Sequence, residues 1–170
     1  MNIIKLTALG VSPAGPAKPR WSDRGKGKAL VLHFDGGSRG NPGPAGIGLT
    51  LTTSDGTPLY ELGEFLGHHT NNFAEYTALL RGLHAAQTLG AAALAVRSDS
   101  ELLVRQINGI YKVKNPGLKP LHAQALALIR ALGHVTVTHV YREANTRADE
   151  LANLAMDAAA KLEPLGPLPT

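Results

Sequence analysis

Four acidic residues occupy positions at which a carboxylate could do chemistry. Each stands where a predicted strand ends or a predicted helix begins, and they are Asp35, Glu75, Asp99 and Asp149. Side chains at such positions can converge at one edge of a sheet. Two carboxylates about 4 Å apart repel each other by about 4 kcal/mol at an effective dielectric constant near 20. Four of them in one place would therefore stay ionised together only with cations between them.

A cation bound by such a group would be a hard one. Carboxylate oxygens favour Mg²⁺ or Mn²⁺, and the absence of cysteine excludes zinc–thiolate sites, disulfides and thiol nucleophiles. Two such ions about 4 Å apart can activate a water and stabilise the leaving oxygen in a phosphoryl displacement. If the four carboxylates converge, we expect a hydrolytic site for phosphodiesters that needs no side-chain nucleophile.

Three of the four acids also have a simpler interpretation as helix caps. Glu75 and Asp149 each lie three residues after a residue that can cap a helix, which is the spacing of a capping box, and Asp99 could cap the helix that follows it. Asp35 does not fit this pattern, because it ends a strand and no helix obviously begins after it. A carboxylate that leaves a core strand is costly unless a charged or polar group receives it, and a surface loop is the remaining structural interpretation.

The elements that would position these acids follow from hydrophobic periodicity. An apolar run predicts a strand over residues 29–36, and Asp55-Gly56 marks the turn of a hairpin between two further strands. Helical spacing begins at residue 71, and a strand, helices, a strand and a final helix follow. Hairpins make antiparallel neighbours, whereas a strand after a crossover helix returns parallel. The prediction is an α/β fold, a mixed five-stranded sheet of three antiparallel strands and then two parallel ones, with helices packed on it.

The composition is that of one soluble globular domain. The chain has 170 residues, of which 44% are hydrophobic and 18% are charged. The net charge is +4, and residues 1–28 carry +5 of it, from six lysine or arginine residues and one aspartate among many prolines and glycines, so the remainder carries −1. We interpret this segment as a flexible basic tail, although such a tail could also hold a polyanion through its phosphates. The first residues have neither the length of a membrane span nor the charged start of a signal peptide, so we expect a cytoplasmic protein without a membrane partner.

Four blocks of the sequence together resemble type 1 ribonuclease H. They are FDGGSRGNPGPAG, TNNFAEYTAL, SDSELLVRQING and REANTRADELANLA, and each carries one of the four acids. One block alone would be a weak signal, whereas four in matching order and spacing are a specific one. On this resemblance, residues 29–162 form the catalytic domain and residues 163–170 form a C-terminal tail.

The resemblance implies a fold, a metal site and an activity. The third strand would lie at one edge of the sheet and the fifth at the other. The four acids would form a site for two Mg²⁺ ions, with Mn²⁺ as a substitute, and would be both the catalytic residues and the metal ligands. The implied activity is endonucleolytic hydrolysis of the RNA strand of an RNA–DNA hybrid, leaving 5′-phosphate and 3′-hydroxyl ends. The protein is expected to act as a monomer.

The resemblance also implies substrate contacts. Gly36, Gly37 and Ser38 would meet the minor groove, where 2′-hydroxyl groups distinguish RNA from DNA. The other implied contacts are made to a phosphate of the DNA strand by Asn41 and Thr70 and to the minor groove by Asn71 and Asn72. Asn41-Pro42-Gly43 also fits a plain turn, and Asn72 also fits a helix cap.

Two features of many bacterial members of this family are absent from the sequence. The loop before the last helix, YREANTRADE, has no histidine, and His139 precedes it on a strand, where we expect it to face a neighbour or solvent. Arg142 or Glu143 could serve instead. The extended basic substrate handle is reduced to three lysines, Lys112, Lys114 and Lys119. This shorter layout resembles the archaeal-like branch, in which double-stranded RNA is sometimes cleaved alongside hybrids.

Two other functions remain compatible with the sequence. A DNA-junction resolvase of the same broad fold is disfavoured, because the glycine and asparagine blocks that would read 2′-hydroxyl groups are intact. A nucleic-acid-binding module that has lost catalysis would lack one of the four acids, and none is missing.

Overall fold

A computed structural model describes residues 25–169 of the chain. The strands are β1 (Ala29–Ser38), β2 (Gly43–Thr53), β3 (Pro58–His69), β4 (Ala93–Ser98), β5 (Val135–His139) and β6 (Lys161–Leu162). The helices are α1 (Asn71–Thr88), α2 (Glu101–Ile107), α3 (Lys119–Leu132) and α4 (Thr146–Ala158), and a 3₁₀ turn covers Arg142–Ala144. The predicted basic tail lies outside the described residues as far as residue 24. Among the helices of residues 25–169, none combines the length and the apolar character needed to cross a membrane.

The strands form one mixed sheet, as predicted. Their order is β5-β4-β1-β2-β3-β6. The first three strands pair in antiparallel fashion, while β4 runs parallel to β1 and β5 runs parallel to β4. The parallel pairing brings the carboxyl ends of β1, β4 and β5 to the same edge of the sheet, and the predicted acids Asp35 and Asp99 lie at that edge.

The C-terminal segment differs from the prediction. After α4 the chain reverses through Ala159, which has a left-handed backbone conformation, and β6 pairs with β3 at Gly63 and Glu64. The sheet therefore has six strands rather than five, and β3 is not a free edge along its whole length. Residues 163–169, which we expected to be a tail, pack on the body because the Tyr60 hydroxyl donates to the buried Glu163 carboxylate at 2.7 Å.

The N-terminal end of the described chain also packs on the body. Gly25 is buried close to Leu89, and the carbonyl of Lys28 accepts a hydrogen bond from the amide of Ala92 at 2.8 Å. The last four residues of the segment predicted as a tail, residues 25–28, are thus held against the end of α1.

Helices cover the two faces of the sheet in different ways. Leu30, Leu32 and Phe34 project from one face of β1 into the core, and α1 packs on that face. Helix α4 packs on the opposite face and comes close to β2, where a Cβ atom at Gly48 would overlap the carbonyl oxygen of Ala148. Gly48 is the register partner of Asp35, so the Asp35 side chain lies on the face that α4 covers.

An ion pair fixes the start of α4 to the sheet. The Arg147 guanidinium donates to both carboxylate oxygens of Glu61 at 2.8 Å each, through Nε and Nη2, and donates to Glu150 at 3.0 Å. Glu61 lies on β3 and is only 7% exposed. A bidentate contact between a buried carboxylate and a guanidinium restrains orientation as well as distance, so it fixes the helical turn that carries Asp149.

Removing this ion pair should destabilise the fold. We expect Arg147→Ala to lower the free energy of unfolding by about 2 kcal/mol, because Glu61 would remain buried without its partner. Urea denaturation at pH 7 measures this loss. The matched control is Arg105→Ala, which removes an exposed ion pair with Glu101 within α2 and should cost less than about 1 kcal/mol. Equal losses in the two variants would contradict the structural role assigned to Arg147.

Candidate active site

The four predicted acids line a single cleft at the carboxyl edge of the sheet. The cleft has a volume of about 390 Å³ and contains Asp35 from β1, Glu75 from α1, Asp99 after β4 and Asp149 from α4. One wall of the cleft consists of Gly36, Gly37 and Asn71, and we call it the amide wall. The other consists of residues 139–142, between β5 and α4, and we call it the aromatic wall. Residues from four separate elements thus meet around one polar space.

Other residues cap the helices, which leaves the acids available for chemistry. The Thr70 hydroxyl accepts from the amide of Phe73 at 3.2 Å and caps α1, and the Ser100 hydroxyl accepts from the amide of Leu103 at 3.3 Å and caps α2. The residue that precedes α4 is Asn145, whose side chain makes no capping bond. The capping interpretation of Glu75, Asp99 and Asp149 is therefore wrong, because each helix begins one or more residues away from where that interpretation places it.

Asp35 lies in an electrostatically unfavourable position. Burial, followed by the charge of Asp99 and the interaction with Asp149, raises the pKa of its carboxyl group to about 7, against an opposing effect of the Gly36 amide. That amide donates to Asp35 Oδ1 at 3.0 Å. Without a cation, Asp35 would thus hold a proton up to about neutral pH.

Glu75 is held in the same cleft by the cap of α2. Its Oε2 atom accepts a hydrogen bond from the Ser100 hydroxyl at 3.1 Å. Burial raises the pKa of the Glu75 carboxyl to about 7; the bond from Ser100 lowers it and the charge of Asp99 raises it. Ser100 therefore both caps α2 and orients the acid delivered by α1.

The donor chemistry of the cleft fits divalent cations. Within residues 25–169, no three aspartate, glutamate or histidine side chains are already placed to hold one metal ion among them. The cleft nevertheless presents four carboxylates, which are hard oxygen donors, and Asp35 and Glu75 both have a raised pKa because of burial and crowded negative charge. A divalent cation would relieve that crowding and favour the ionised forms. The four acids are therefore the residues that could hold Mg²⁺ or Mn²⁺.

The predicted substrate residues gather at the amide wall. Asn71 Oδ1 accepts from the backbone amide of Ser38 at 2.6 Å and from the Ser38 hydroxyl at 3.1 Å. The backbone amide of Asn71 donates to Asn41 Oδ1 at 3.1 Å. Thr70, the cap of α1, immediately precedes Asn71, and Asn72 is exposed on the first turn of that helix. The structure thus brings these residues together beside the acids, while their contacts with nucleic acid stay a prediction.

The two glycines after Asp35 have different surroundings. A Cβ atom at Gly36 would overlap the backbone of α1 at Ala74 and Glu75, whereas at Gly37 it would meet only Asn71 Oδ1, at 3.8 Å. Gly36 therefore allows the close approach of β1 and α1 that places Glu75 beside Asp35. Gly37 is the glycine that leaves open space in the cleft.

The sequence analysis anticipated the aromatic wall only in part. Of the two residues that could replace a loop histidine, Arg142 lines the cleft, whereas Glu143 is exposed and lies outside the lining. His139 faces a neighbour as expected, the Tyr141 ring, but the sequence analysis did not place these two rings in the cleft. The parallel pairing of β4 and β5 places His139 opposite Ser98, one residue before Asp99. That pairing was part of the predicted topology and could have identified His139 as a neighbour of the site.

Asn145 was also missed, and it connects two of the acids. It is 1% exposed, and its Nδ2 atom donates to the carbonyl oxygen of Phe34, one residue before Asp35, at 2.9 Å. The backbone carbonyl oxygen of Asn145 accepts from the backbone amide of Asp149 at 3.2 Å. Asn145 therefore fixes the end of β1 relative to the first turn of α4. No sequence signal separated it from an ordinary helix cap.

Comparisons with known proteins give consistent results. The family model described as "Reverse transcriptase-like" matches residues 33–155. The "Bifunctional protein Rv2228c" of Mycobacterium tuberculosis is 50% identical over 133 residues, which are 78% of this chain but 36% of that protein. The chain thus spans about a third of the length of that relative. The "Ribonuclease HI" of Halobacterium salinarum is 41% identical over 155 residues, which are 91% of this chain and 77% of that protein.

A solved structure supports the same comparison. The crystal structure of "LC11-RNase H1 in complex with RNA/DNA hybrid" is 44% identical in sequence and superposes with a TM-score of 0.74. The match covers 76% of this chain and 98% of that one. The similarity in fold thus extends over about three quarters of this chain and nearly all of that one.

The crowded carboxylates should make the metal-free protein less stable as pH rises. Asp35 and Glu75 have pKa values of about 7 when folded, above the ordinary value of about 4 for an unfolded carboxyl. The folded state therefore keeps protons that the unfolded chain releases, so this stabilisation is present below about pH 4 and is lost as pH rises to 7. We expect Asp35→Asn to raise the free energy of unfolding at pH 8 by about 1–3 kcal/mol in the presence of a chelator, and to flatten the pH dependence.

Urea denaturation between pH 5 and pH 8 measures this effect. Asp157→Asn is the control, because Asp157 is exposed and pairs with Arg39 at 2.7 Å on the surface, so its removal should change stability little. An Asp35→Asn variant that is less stable than the parent at pH 8 would show that the carboxylates do not repel each other in this way.

Adjacent glycines provide a second test of the site's construction. Gly36→Ala should lower the free energy of unfolding by about 3 kcal/mol, because the added methyl group must push β1 and α1 apart. Gly37→Ala adds the same group in open space and should lower it by less than about 1 kcal/mol. Thermal and urea unfolding of both variants measure the difference, and similar losses would refute the close contact between β1 and α1.

Proposed function

Because the chain belongs to the type 1 ribonuclease H family, we propose that it hydrolyses the RNA strand of RNA–DNA hybrids. The catalytic domain in this proposal is residues 29–162. The reaction adds water across a phosphodiester bond within the RNA strand and breaks the bond between phosphorus and the 3′ oxygen. The ends produced are a 5′-phosphate and a 3′-hydroxyl.

One observation carries this proposal above the others. Acids from β1, α1, α4 and the segment after β4 line one cleft, and the amide wall stands directly beside them. A phosphodiester over the acids would thus have its ribose within reach of backbone and side-chain amides. The same pair of features would be unexpected in a fold that only binds nucleic acid through a basic surface.

The proposed cofactors are two Mg²⁺ ions, or Mn²⁺ in their place. They would be held by Asp35, Glu75, Asp99 and Asp149 and would supply an activated water and charge neutralisation at the phosphate. Asp35 is suited to a central position because it faces both Asp99 and Asp149. Ser100 keeps Glu75 turned toward the cleft through its hydroxyl. Asn145 and Arg147 fix the start of α4 to β1 and β3, and so fix the position of Asp149 relative to Asp35.

The amide wall would select the RNA strand. Gly37 leaves room for a sugar to approach, and the Asn71 and Ser38 side chains lie at the place where a 2′-hydroxyl group would arrive. Asn41, which accepts from the backbone amide of Asn71, and Thr70, which precedes Asn71, would bind a phosphate of the DNA strand. Asn72, exposed on the first turn of α1, would add a contact in the minor groove.

Double-stranded RNA is included in the proposal as a weaker substrate. The three lysines available to hold a second strand, Lys112, Lys114 and Lys119, are all exposed and spread over a short segment. With few cations reserved for a DNA strand, discrimination against a second RNA strand would rest mainly on Asn41 and Thr70, because the amide wall would meet the same 2′-hydroxyl groups in both duplexes.

Cleavage of a labelled hybrid tests the proposed function. With Mg²⁺ or Mn²⁺ we expect cutting within the RNA strand, and with a chelator we expect none. Asp35→Asn should reduce the rate by more than about 100-fold, because it removes a carboxylate that faces two of the other three acids. Asp157→Asn, outside the cleft, should cleave at the parent rate.

The substrate series separates this function from its alternatives. Preferential cutting of an all-DNA four-way junction would favour a resolvase. Binding of the hybrid without cutting in either metal, together with a strong salt dependence, would favour a module that only binds nucleic acid. Double-stranded RNA of the same sequence measures how strongly the protein discriminates between a DNA strand and an RNA strand opposite the one that is cut.

A further inference from the structure

The aromatic wall carries an exposed ring that the proposed reaction does not use. Tyr141 is 78% exposed, more than any other large apolar side chain among residues 25–169. Isolated exposed apolar residues are common and need no explanation by themselves. Tyr141 differs because it lines the same cleft as the four acids. It follows β5, which lies on the β4 side of β1, whereas Asn71 bonds Ser38 and Asn41 at the β1–β2 connection on the other side.

The Tyr141 ring is held in place before any ligand arrives. It makes an edge-to-face contact with the His139 ring, with centroids 5.5 Å apart and planes at 74°. The backbone is fixed on both sides, since the Val140 amide donates to the Ser98 carbonyl at 2.9 Å and the Ala144 amide donates to the Tyr141 carbonyl at 2.9 Å. A pre-positioned aromatic side chain loses little conformational freedom on binding.

The position of the ring determines what it can contact. With β5 and the β1–β2 connection on opposite sides of β1, a strand whose phosphate lay over the acids would run from the amide wall to the aromatic wall. If the ribose on one side of that phosphate meets Asn71, the ribose on the other side comes to Tyr141. Bases of a duplex are already stacked and paired, so the sugar is the part of that nucleotide that offers an accessible apolar face. Arg142, also in the lining, gives this wall positive charge beside the backbone phosphates.

We infer that Tyr141 is a substrate-binding residue whose ring packs against the ribose of the RNA nucleotide next to the scissile phosphate, on the side away from Asn71. His139 holds the ring for this contact. The inference rests on the proposed function and adds to it a subsite for one particular sugar. The contact depends on the flat ring rather than on the hydroxyl group, because apolar area is what the ribose face can cover.

Kinetics of Tyr141 variants on the hybrid test this inference. Tyr141→Ala should raise KM about fivefold to tenfold with kcat nearly unchanged, because the contact exists equally in the bound substrate and in the transition state. Tyr141→Phe keeps the ring and should retain the parent KM. Both variants should unfold at the parent temperature because the side chain is largely exposed. An unchanged KM in Tyr141→Ala, or equal losses in the two variants, would overturn the inference.

Shortened RNA strands locate the contact. The hybrids keep a constant DNA strand, and their RNA is shortened one nucleotide at a time toward a fixed cleavage site. At one step of this series, the KM of the parent should rise to that of Tyr141→Ala. That step should occur on one side of the scissile bond only. An equal ratio of the two enzymes across the whole series would contradict a contact with one ribose.

Failure of the inference can be distinguished from failure of the proposed function. If the parent protein does not cut the hybrid, the proposed function and the inference about Tyr141 are both wrong. If the parent cuts it and Tyr141→Ala has the parent KM, only the subsite is wrong.

Discussion

Repulsion among buried carboxylates is the constraint on which the arrangement of this protein depends. Asp35 faces Asp99 and Asp149 in a partly desolvated cleft, and Glu75 is brought in from the other face of the sheet. Left to relax, such groups would move apart or take up protons. The surrounding structure must therefore resist separation of the elements that carry them, and it does so at three junctions. Each junction uses a different interaction.

At the first junction, Gly36 allows the backbones of β1 and α1 to touch, which no side chain at that position would permit. At the second, Ser100 joins the cap of α2 to the carboxylate of Glu75. At the third, Asn145 and the ion pair of Arg147 with Glu61 fix α4 to both β1 and β3. The buried carbonyl oxygen of the Asn145 side chain has no hydrogen-bond partner among the described residues. Its desolvation is a free-energy cost of fixing α4 to β1 at this point.

The sequence predicted the sheet and the meeting of the four acids at one edge, because both leave local signals. Hairpin turns and apolar runs determine strand order, and acids at strand ends stand out against the apolar strands before them. The two-residue strand β6 leaves no such signal, because it is short and its partners, Gly63 and Glu64 of β3, lie far back in the chain. The helix caps were misplaced for a related reason, since several neighbouring residues could serve as caps, and tertiary contacts selected Thr70 and Ser100.

The aromatic wall shows how one fold can separate chemistry from substrate handling. Because β5 runs parallel to β4, the residues that follow it must arrive beside Asp99, whatever their identity. Their backbone is fixed by the Val140–Ser98 hydrogen bond and by the 3₁₀ turn that follows. The side chain at position 141, however, projects largely into solvent, so its identity has little influence on the core. In the function proposed above, a residue there would change how the substrate is held without disturbing the balance of charge among the acids, whereas a change at Asn145 or Gly36 would alter both.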